Sequence, residues 1–151
     1  LLQPLAAALG ICDIELMNGE HITNENASAN MLRCKFHVCP VCGNVIHSLG
    51  SAVVSCCGIR LPALEAEEAA SDHSVTIENV EDEQFLTFPH PMTKEHFISF
   101  AAFVTCDRVQ TVKFYPEGSA ETRMRLRGMG QLYWYCNRHG LFRLSSRNFP
   151  R

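Results

Sequence analysis

Residues 97–105 read FISFAAFVT, the longest largely apolar run in the chain. The run has the length of a β-strand and falls far short of the roughly 18 apolar residues that a membrane-spanning helix needs. Further strand-length runs lie at 75–77, 85–88, 109–115, 121–126 and 131–135. Turn signals separate the later runs. This spacing predicts a mainly β protein, with an antiparallel β-sandwich over residues 69–151.

The composition limits the possible classes of protein. A chain of 151 residues fits one ordinary domain or two small ones, which excludes a large multidomain enzyme. Its net charge of −3 argues against binding nucleic acid by charge alone. Eight cysteines are too many for an ordinary domain and too few for a secreted disulfide scaffold. We therefore expect a cytoplasmic metal-binding protein without disulfides, signal peptide or membrane association.

Residues 1–31 are predicted to form a separate short helical segment with a linker. Leucines at helical spacing over 2–9, followed by a Gly and a second periodic stretch over 13–17, predict two short helices. The sequence pattern of residues 2–20 resembles the last helices of phage-repressor-type helix-turn-helix domains, whose DNA-reading helix would lie before Leu1. The alternative is an amphipathic helix pair that only packs against other parts of the chain.

Residues 32–68 hold a compact cysteine cluster. Cys39 and Cys42 form one Cys-x2-Cys turn, and Cys56 and Cys57 follow after 13 intervening residues. Four thiolates favour iron or zinc in tetrahedral geometry. Because so short a segment cannot bury a sufficient core, it is predicted to need the metal in order to fold.

Other residues near this cluster have less specific predictions. Cys34 and His37 are expected to be bystanders, since four thiolates already complete a tetrahedral site. Cys12 and Cys106 have apolar neighbours and are predicted to be buried thiols. The acidic stretch that begins at Glu65 is expected to be a solvated connector.

Four histidines and one cysteine of the β-region could share a second metal. His90 lies between two prolines, which fix the backbone around its imidazole. His96 follows near the start of the next strand, and Cys136 and His139 lie across one tight turn. Each histidine alone is more often a surface or core residue, but together with His73 they predict a metal site.

Two motifs carry a resemblance to a known family. HPMTKEHFI at 90–98 and YCNRHGL at 135–141, with the Cys-Cys-Gly turn at 56–58, resemble desulfoferrodoxin, the two-iron superoxide reductase. The resemblance covers about residues 36–144. It implies a small desulforedoxin-like metal module followed by an immunoglobulin-like β-sandwich with a non-heme iron site.

The resemblance also implies residue roles. The catalytic iron would be held by four histidines and an axial thiolate, namely His73, His90, His96, His139 and Cys136. An auxiliary iron, or zinc, would be held by Cys39, Cys42, Cys56 and Cys57. The implied activity is reduction of superoxide to hydrogen peroxide at Fe(II), with a rubredoxin-like or other reductase as electron donor and a homodimer as the assembly.

One position departs from the family pattern. The family usually has a lysine directly before the first histidine ligand, where it supplies positive charge, whereas this chain has Asp72 before His73. An anion at this position would repel superoxide. Lys94, between His90 and His96, is the candidate that could supply the missing positive charge.

Two other functions stay open on the sequence. One is a redox- or metal-responsive transcriptional regulator, in which the iron module senses for an upstream DNA-binding domain. The other is a structural zinc module without turnover. Residues 107–151 are basic, and Arg123, Arg125 and Arg127 are predicted to alternate on one face of a strand, where an acidic electron donor could dock.

Overall fold

The computed structural model describes residues 2–9, 13–19, 30–69 and 71–150. It confirms the two short helices, α1 (Leu2–Leu9) and α2 (Asp13–Asn18). None of the helices in these ranges is long and apolar enough to cross a membrane. Cys12 and most of the predicted linker lie outside the described residues.

The described residues contain twelve β-strands, which confirms the mainly β prediction. In chain order they are β1 (Lys35–Val38), β2 (Val45–Ser48), β3 (Val54–Cys56), β4 (Ile59–Leu61), β5 (Ala66–Glu68), β6 (Thr76–Val80), β7 (Glu83–Thr87), β8 (Ile98–Thr105), β9 (Val109–Lys113), β10 (Glu121–Met124), β11 (Gly130–Cys136) and β12 (Gly140–Ser145). Single turns of 3₁₀-helix occupy Met31–Arg33, Ser71–His73 and Ser146–Asn148.

Two sheets form the sandwich. A three-stranded sheet has the order β10-β7-β6, and a five-stranded sheet has the order β5-β12-β11-β8-β9. All neighbours are antiparallel except β5, which runs parallel to β12. The cysteine-rich segment adds two hairpins, β1-β2 and β3-β4. The core between the two sheets is built around Leu86, Phe103 and Trp134.

Strand β8 explains the long apolar run because both of its faces are buried. All eight of its residues are buried. Ala101 and Phe103 point into the sandwich core, while Phe100, Ala102 and Val104 point to the other side of the sheet. There they pack against Phe36 of β1 and its neighbours. The cysteine-rich segment therefore covers the outer face of the five-stranded sheet.

The structure corrects three local predictions. The acidic stretch is not only a connector, because β5 pairs with β12 and the Glu68 carboxylate accepts a 2.7 Å hydrogen bond from Nε of Arg143. Strand β10 ends at Met124, and a tight turn in which the Arg127 amide donates to the Arg125 carbonyl takes both arginines out of the strand. Cys106 is exposed, since it lies in the turn that links β8 to β9.

Candidate metal centres

Two turns bring the four clustered cysteines together. The first leaves β1, where Gly43 donates its amide to the Cys39 carbonyl at 2.9 Å with a positive φ of 70°. The second joins β3 to β4 and places Cys57 and Gly58 at φ values of 51° and 75°. The second of these values suits glycine, which adopts the left-handed region without strain. Each turn therefore contributes two Sγ atoms to one cluster of four.

The four sulfurs lie within 4.8 Å of one another. Sγ of Cys42 and Sγ of Cys56 are 3.6 Å apart, and Asn44 Nδ2 donates toward Sγ of Cys56 at 3.7 Å. The seven cysteines in the described ranges are all free. Cys34 and His37 stay outside this group, and Nδ1 of His37 instead contacts the carbonyls of Leu61 and Pro62.

The thiol pKa values show why this group fits a cation. The backbone amide of Cys42 stabilises the Cys39 thiolate and lowers the pKa of Cys39 to about 7. The neighbouring sulfurs, Cys42 first, raise the pKa of Cys57 to about 12, because its thiolate would add charge to a crowded site. A bound iron or zinc cation would offset the repulsion between the thiolates, and so would allow all four thiols to lose their protons.

The second group gathers residues from separate parts of the sandwich. His73 ends the 3₁₀-helix before β6, and His90 follows β7. His96 lies just before β8, Cys136 is the last residue of β11, and His139 lies in the turn to β12. One donor atom from each residue lies within 4.8 Å of all the others. The structure thus brings together all five residues of the predicted histidine and cysteine site.

His139 is central to this group. Its Nδ1 lies 3.1 Å from Nε2 of His73, 3.2 Å from Nε2 of His96 and 3.4 Å from Sγ of Cys136. Nε2 of His90 is buried and has no hydrogen-bond partner. Each neutral imidazole has only one N–H, so the nitrogens that meet here cannot all form hydrogen bonds with one another. A buried nitrogen without a hydrogen-bond partner also lowers the stability of the fold. A metal ion among them would satisfy the whole set.

Burial favours the metal-binding form of two of the imidazoles. It lowers the pKa of His90 and also the pKa of His96. The shift in both rings is toward the neutral form, which metal ligation requires. Nδ1 of His90 lies 2.6 Å from the Pro91 carbonyl, which leaves Nε2 to face the group.

Asn137 is a site residue that the sequence reasoning missed. Its Oδ1 accepts the amide of Phe97 at 2.9 Å, and its Nδ2 donates to the Glu95 carbonyl at 3.0 Å. Its own amide donates to the Phe97 carbonyl at 3.1 Å. These bonds join the turn that carries Cys136 and His139 to the segment that carries His96. Its position between Cys136 and His139 is the sequence feature that could have identified it.

The five-residue group has one buried side and one open side. Cys136 and His73 are buried, His90 and His96 are half-buried, and His139 is exposed. A small molecule can therefore approach the group from solvent at His139. Lys94 lies outside the group, with its Nζ 3.8 Å from a carboxylate oxygen of Glu117 on the surface.

The chain is similar to known proteins in both sequence and fold. A curated desulfoferrodoxin from Clostridium acetobutylicum is 37% identical over 54 residues, which are 36% of this chain and 43% of that protein. The match thus spans less than half the length of this relative. The crystal structure of the superoxide reductase from Treponema pallidum has the same fold, with a TM-score of 0.63 at 21% identity over 74% of this chain and 97% of that chain. Residues 60–145 match the Desulfoferrodoxin family model, which is more than half of the chain. The protein therefore belongs to the desulfoferrodoxin family.

Proposed function

We propose that the protein is a superoxide reductase that uses non-heme iron to convert superoxide to hydrogen peroxide. The observation that carries this proposal is the group of four histidines and one cysteine, in which the thiolate is buried and His139 is exposed to solvent. Imidazole suits Fe(II), which these five protein donors would hold. Family membership supports iron as the metal.

The proposed roles of the chain's residues follow from their positions. Bound as Fe(II), the metal supplies the electron that, with two protons, converts superoxide to hydrogen peroxide. The histidines at 73, 90, 96 and 139 would hold the metal, and the buried thiolate of Cys136 would donate electron density to it. The exposure of His139 lets superoxide and solvent protons reach the group.

The test mixes the anaerobic Fe(II) protein with superoxide in a stopped-flow instrument. A reductase yields one hydrogen peroxide per superoxide and no dioxygen, with a rate that approaches diffusion control. A yield of one peroxide per two superoxides, accompanied by dioxygen, would indicate dismutation and contradict the proposal. A protein that holds zinc alone and leaves superoxide untouched would instead support the structural module.

Ligand variants separate the two metal groups. His96→Ala should remove the reaction together with the iron of the five-residue group. Cys57→Ser is the matched control, because it alters the four-cysteine group only. We propose that this second group holds an auxiliary iron, or zinc, so Cys57→Ser should keep the superoxide rate. Loss of the reaction in Cys57→Ser alone would overturn this assignment of roles.

We propose that Lys94 attracts superoxide to the site. It lies on the loop between His90 and His96, and its pair with Glu117 joins two side chains that are 70% and 66% exposed. Such a surface pair is weak, so the ammonium is free to turn toward the metal. Lys94→Ala should lower the second-order rate several-fold and flatten its salt dependence. Lys35→Ala serves as the control, and an equal rate in both variants would refute this role.

We infer that the protein forms a homodimer through exposed apolar side chains of the cysteine-rich segment. They include Val41, Leu49, Val53 and Ile59, of which Val53 is 75% exposed. Exposed apolar side chains favour association. Sedimentation should show a dimer that Val53→Lys splits into monomers. Met129→Lys, at another exposed apolar residue, should leave the dimer intact, and a monomeric wild type would contradict the inference.

We further propose a rubredoxin-like or other reductase as electron donor, in the cytoplasm. Free cysteines in all described positions fit a reducing compartment. An acidic donor would be attracted by the basic C-terminal part, in which Arg123 and Arg125 are exposed. Reduction of the ferric protein by an acidic rubredoxin should slow at high salt and in Arg123→Glu. A rate independent of salt would argue against this docking.

A further inference from the structure

Asp72 faces the outer nitrogen of His73. Oδ2 of Asp72 lies 3.5 Å from Nδ1 of His73, which is an ion-pair distance and is longer than an ordinary N–H···O hydrogen bond. Nε2 of the same ring lies 3.1 Å from Nδ1 of His139, inside the metal-binding group. The carboxylate is 77% exposed, whereas the imidazole is only 4% exposed. The two nitrogens of one ring therefore have opposite surroundings.

Packing fixes the plane of the His73 ring. It stacks on Phe142 with a centroid distance of 4.2 Å and an interplanar angle of 14°. Because the plane is fixed, the remaining freedom is which nitrogen carries the proton. An acceptor beside Nδ1 selects the Nδ1–H tautomer and leaves a lone pair on Nε2. The Pro91 carbonyl has the same relation to Nδ1 of His90.

We propose that Asp72 is a positioning residue, whose carboxylate accepts the Nδ1–H of His73 and so keeps the Nε2 lone pair directed at the metal. A carboxylate behind a metal-bound imidazole also makes the ligating nitrogen more basic. The inference rests on the proposed metal site. It gives Asp72 a function different from that of the family's lysine at this position, because Asp72 acts on a ligand rather than on an approaching anion.

The first test measures metal affinity at the five-residue group. Fe(II) and Zn²⁺ are titrated against a chelator in wild type, Asp72→Ala and Asp72→Asn. Loss of the carboxylate should weaken binding by about tenfold or more. Asp72→Asn keeps an acceptor oxygen and should recover most of the affinity. Asp82→Ala is the matched control, since Asp82 is 81% exposed and lies 3.7 Å from Arg127. Unchanged affinity in Asp72→Ala, or equal losses in Ala and Asn, would overturn the proposal.

The second test reads the tautomer directly. ¹⁵N NMR of the metal-free protein should show His73 protonated at Nδ1 in wild type and in Asp72→Asn, and a mixture of tautomers in Asp72→Ala. An unchanged tautomer in Asp72→Ala would refute the role. Neither measurement uses superoxide. If metal affinity depends on Asp72 while the iron protein leaves superoxide intact, the proposed function fails and this inference stands.

Discussion

Asn137 uses both polar atoms of its side chain to hold two ligand-bearing segments together. Its partners are the backbone groups of Glu95 and Phe97, which flank His96. The same segment accepts a further bond, from Nε of Arg138 to the Glu95 carbonyl at 3.0 Å. Asn137 therefore sets the distance between His96 and His139 without contacting a metal itself.

Asn137→Ala should destabilise the protein by about 1–2 kcal/mol, because two hydrogen bonds to backbone groups of another segment are lost. It should also lower the iron content of the five-residue group. Urea unfolding and metal analysis measure the two effects. Asn79→Ala is the control, since Asn79 only accepts one exposed bond from Gln84 and its loss should cost less than about 0.5 kcal/mol. Equal effects of the two variants would contradict this role of Asn137.

The pKa of Cys39 predicts how metal binding depends on pH. Every ligating thiol must lose its proton when metal binds. Above pH 7 the thiol of Cys39, with a pKa of about 7, has already ionised, whereas below pH 7 the metal must displace its proton too. Affinity at the four-cysteine group should therefore fall more steeply with decreasing pH below pH 7 than above it. Co²⁺ titrations of the Cys136→Ser protein between pH 6 and 8 measure this slope, and a constant slope would refute the prediction.

Residue types and short spacings account for part of the candidate site, and the family resemblance implied the rest. Cys39 and Cys42 are close in sequence and lie on one turn, so local geometry alone brings them together. The contacts of Asn137 depend on residues about 40 positions away, which the sequence does not pair. Cys106 was misplaced because apolar neighbours in sequence do not reveal that a residue lies at a turn between two strands.

At the scale of single elements, Gly130 fixes the start of β11 against β8. It pairs with Thr105 in the ladder. A Cβ added there would lie 2.4 Å from the Val104 carbonyl oxygen and 2.8 Å from the Phe103 ring. Neither the Val104 backbone carbonyl nor the buried Phe103 ring can move aside to accommodate the added Cβ. The strand therefore needs glycine at this position for close approach to its neighbour.

Gly130→Ala should destabilise the protein by about 1–3 kcal/mol, the usual range for an overpacked core. Thermal and urea unfolding measure the change. Gly118→Ala is the control, because its Cβ would meet only the Tyr115 carbonyl oxygen at 3.3 Å. The prediction fails if Gly118→Ala is as harmful as Gly130→Ala.

Strand prediction worked for β8 and failed for β5. The run at 97–105 is unbroken because both faces of β8 are buried, which local composition expresses directly. Strand β5 is only three residues long and contains two glutamates. It forms because it pairs with the edge of β12 and because Glu68 forms an ion pair with Arg143. Such support from a distant strand has no local signal.

At the scale of the whole molecule, the cysteine-rich segment and the sandwich share a hydrophobic cluster. The ring of Phe36 in β1 lies 5.4 Å from the rings of both Phe100 and Tyr133. Phe36 is 2% exposed, and the amide of Leu64 donates to its carbonyl at 2.8 Å. The sequence pattern predicts two separate modules. It does not predict the packing of Phe36 on the sandwich, because Phe100 and Tyr133 are distant from Phe36 in the chain.

Phe36→Ala should cost about 3–5 kcal/mol, as expected for removing a buried aromatic side chain. Because its contacts lie on the sandwich sheet, the loss should lower the midpoint of the whole unfolding transition. Fluorescence of Trp134, which lies in the sandwich core, reports that transition. Val53→Ala, at a side chain that is 75% exposed, is the control. An unchanged Trp134 transition in Phe36→Ala would show that the two parts unfold independently.

The shared cluster also bears on how the chain folds during synthesis. Phe36 leaves the ribosome long before the strands that cover it, because β8 and β11 come more than 60 residues later. Until then its ring and the free thiols that follow it are open to water, oxidants and other nascent chains. We expect early metal capture at Cys39 and its partners to protect this segment. Chains stalled after β4 should resist protease and aggregation better when metal is supplied, and no difference would argue against such protection.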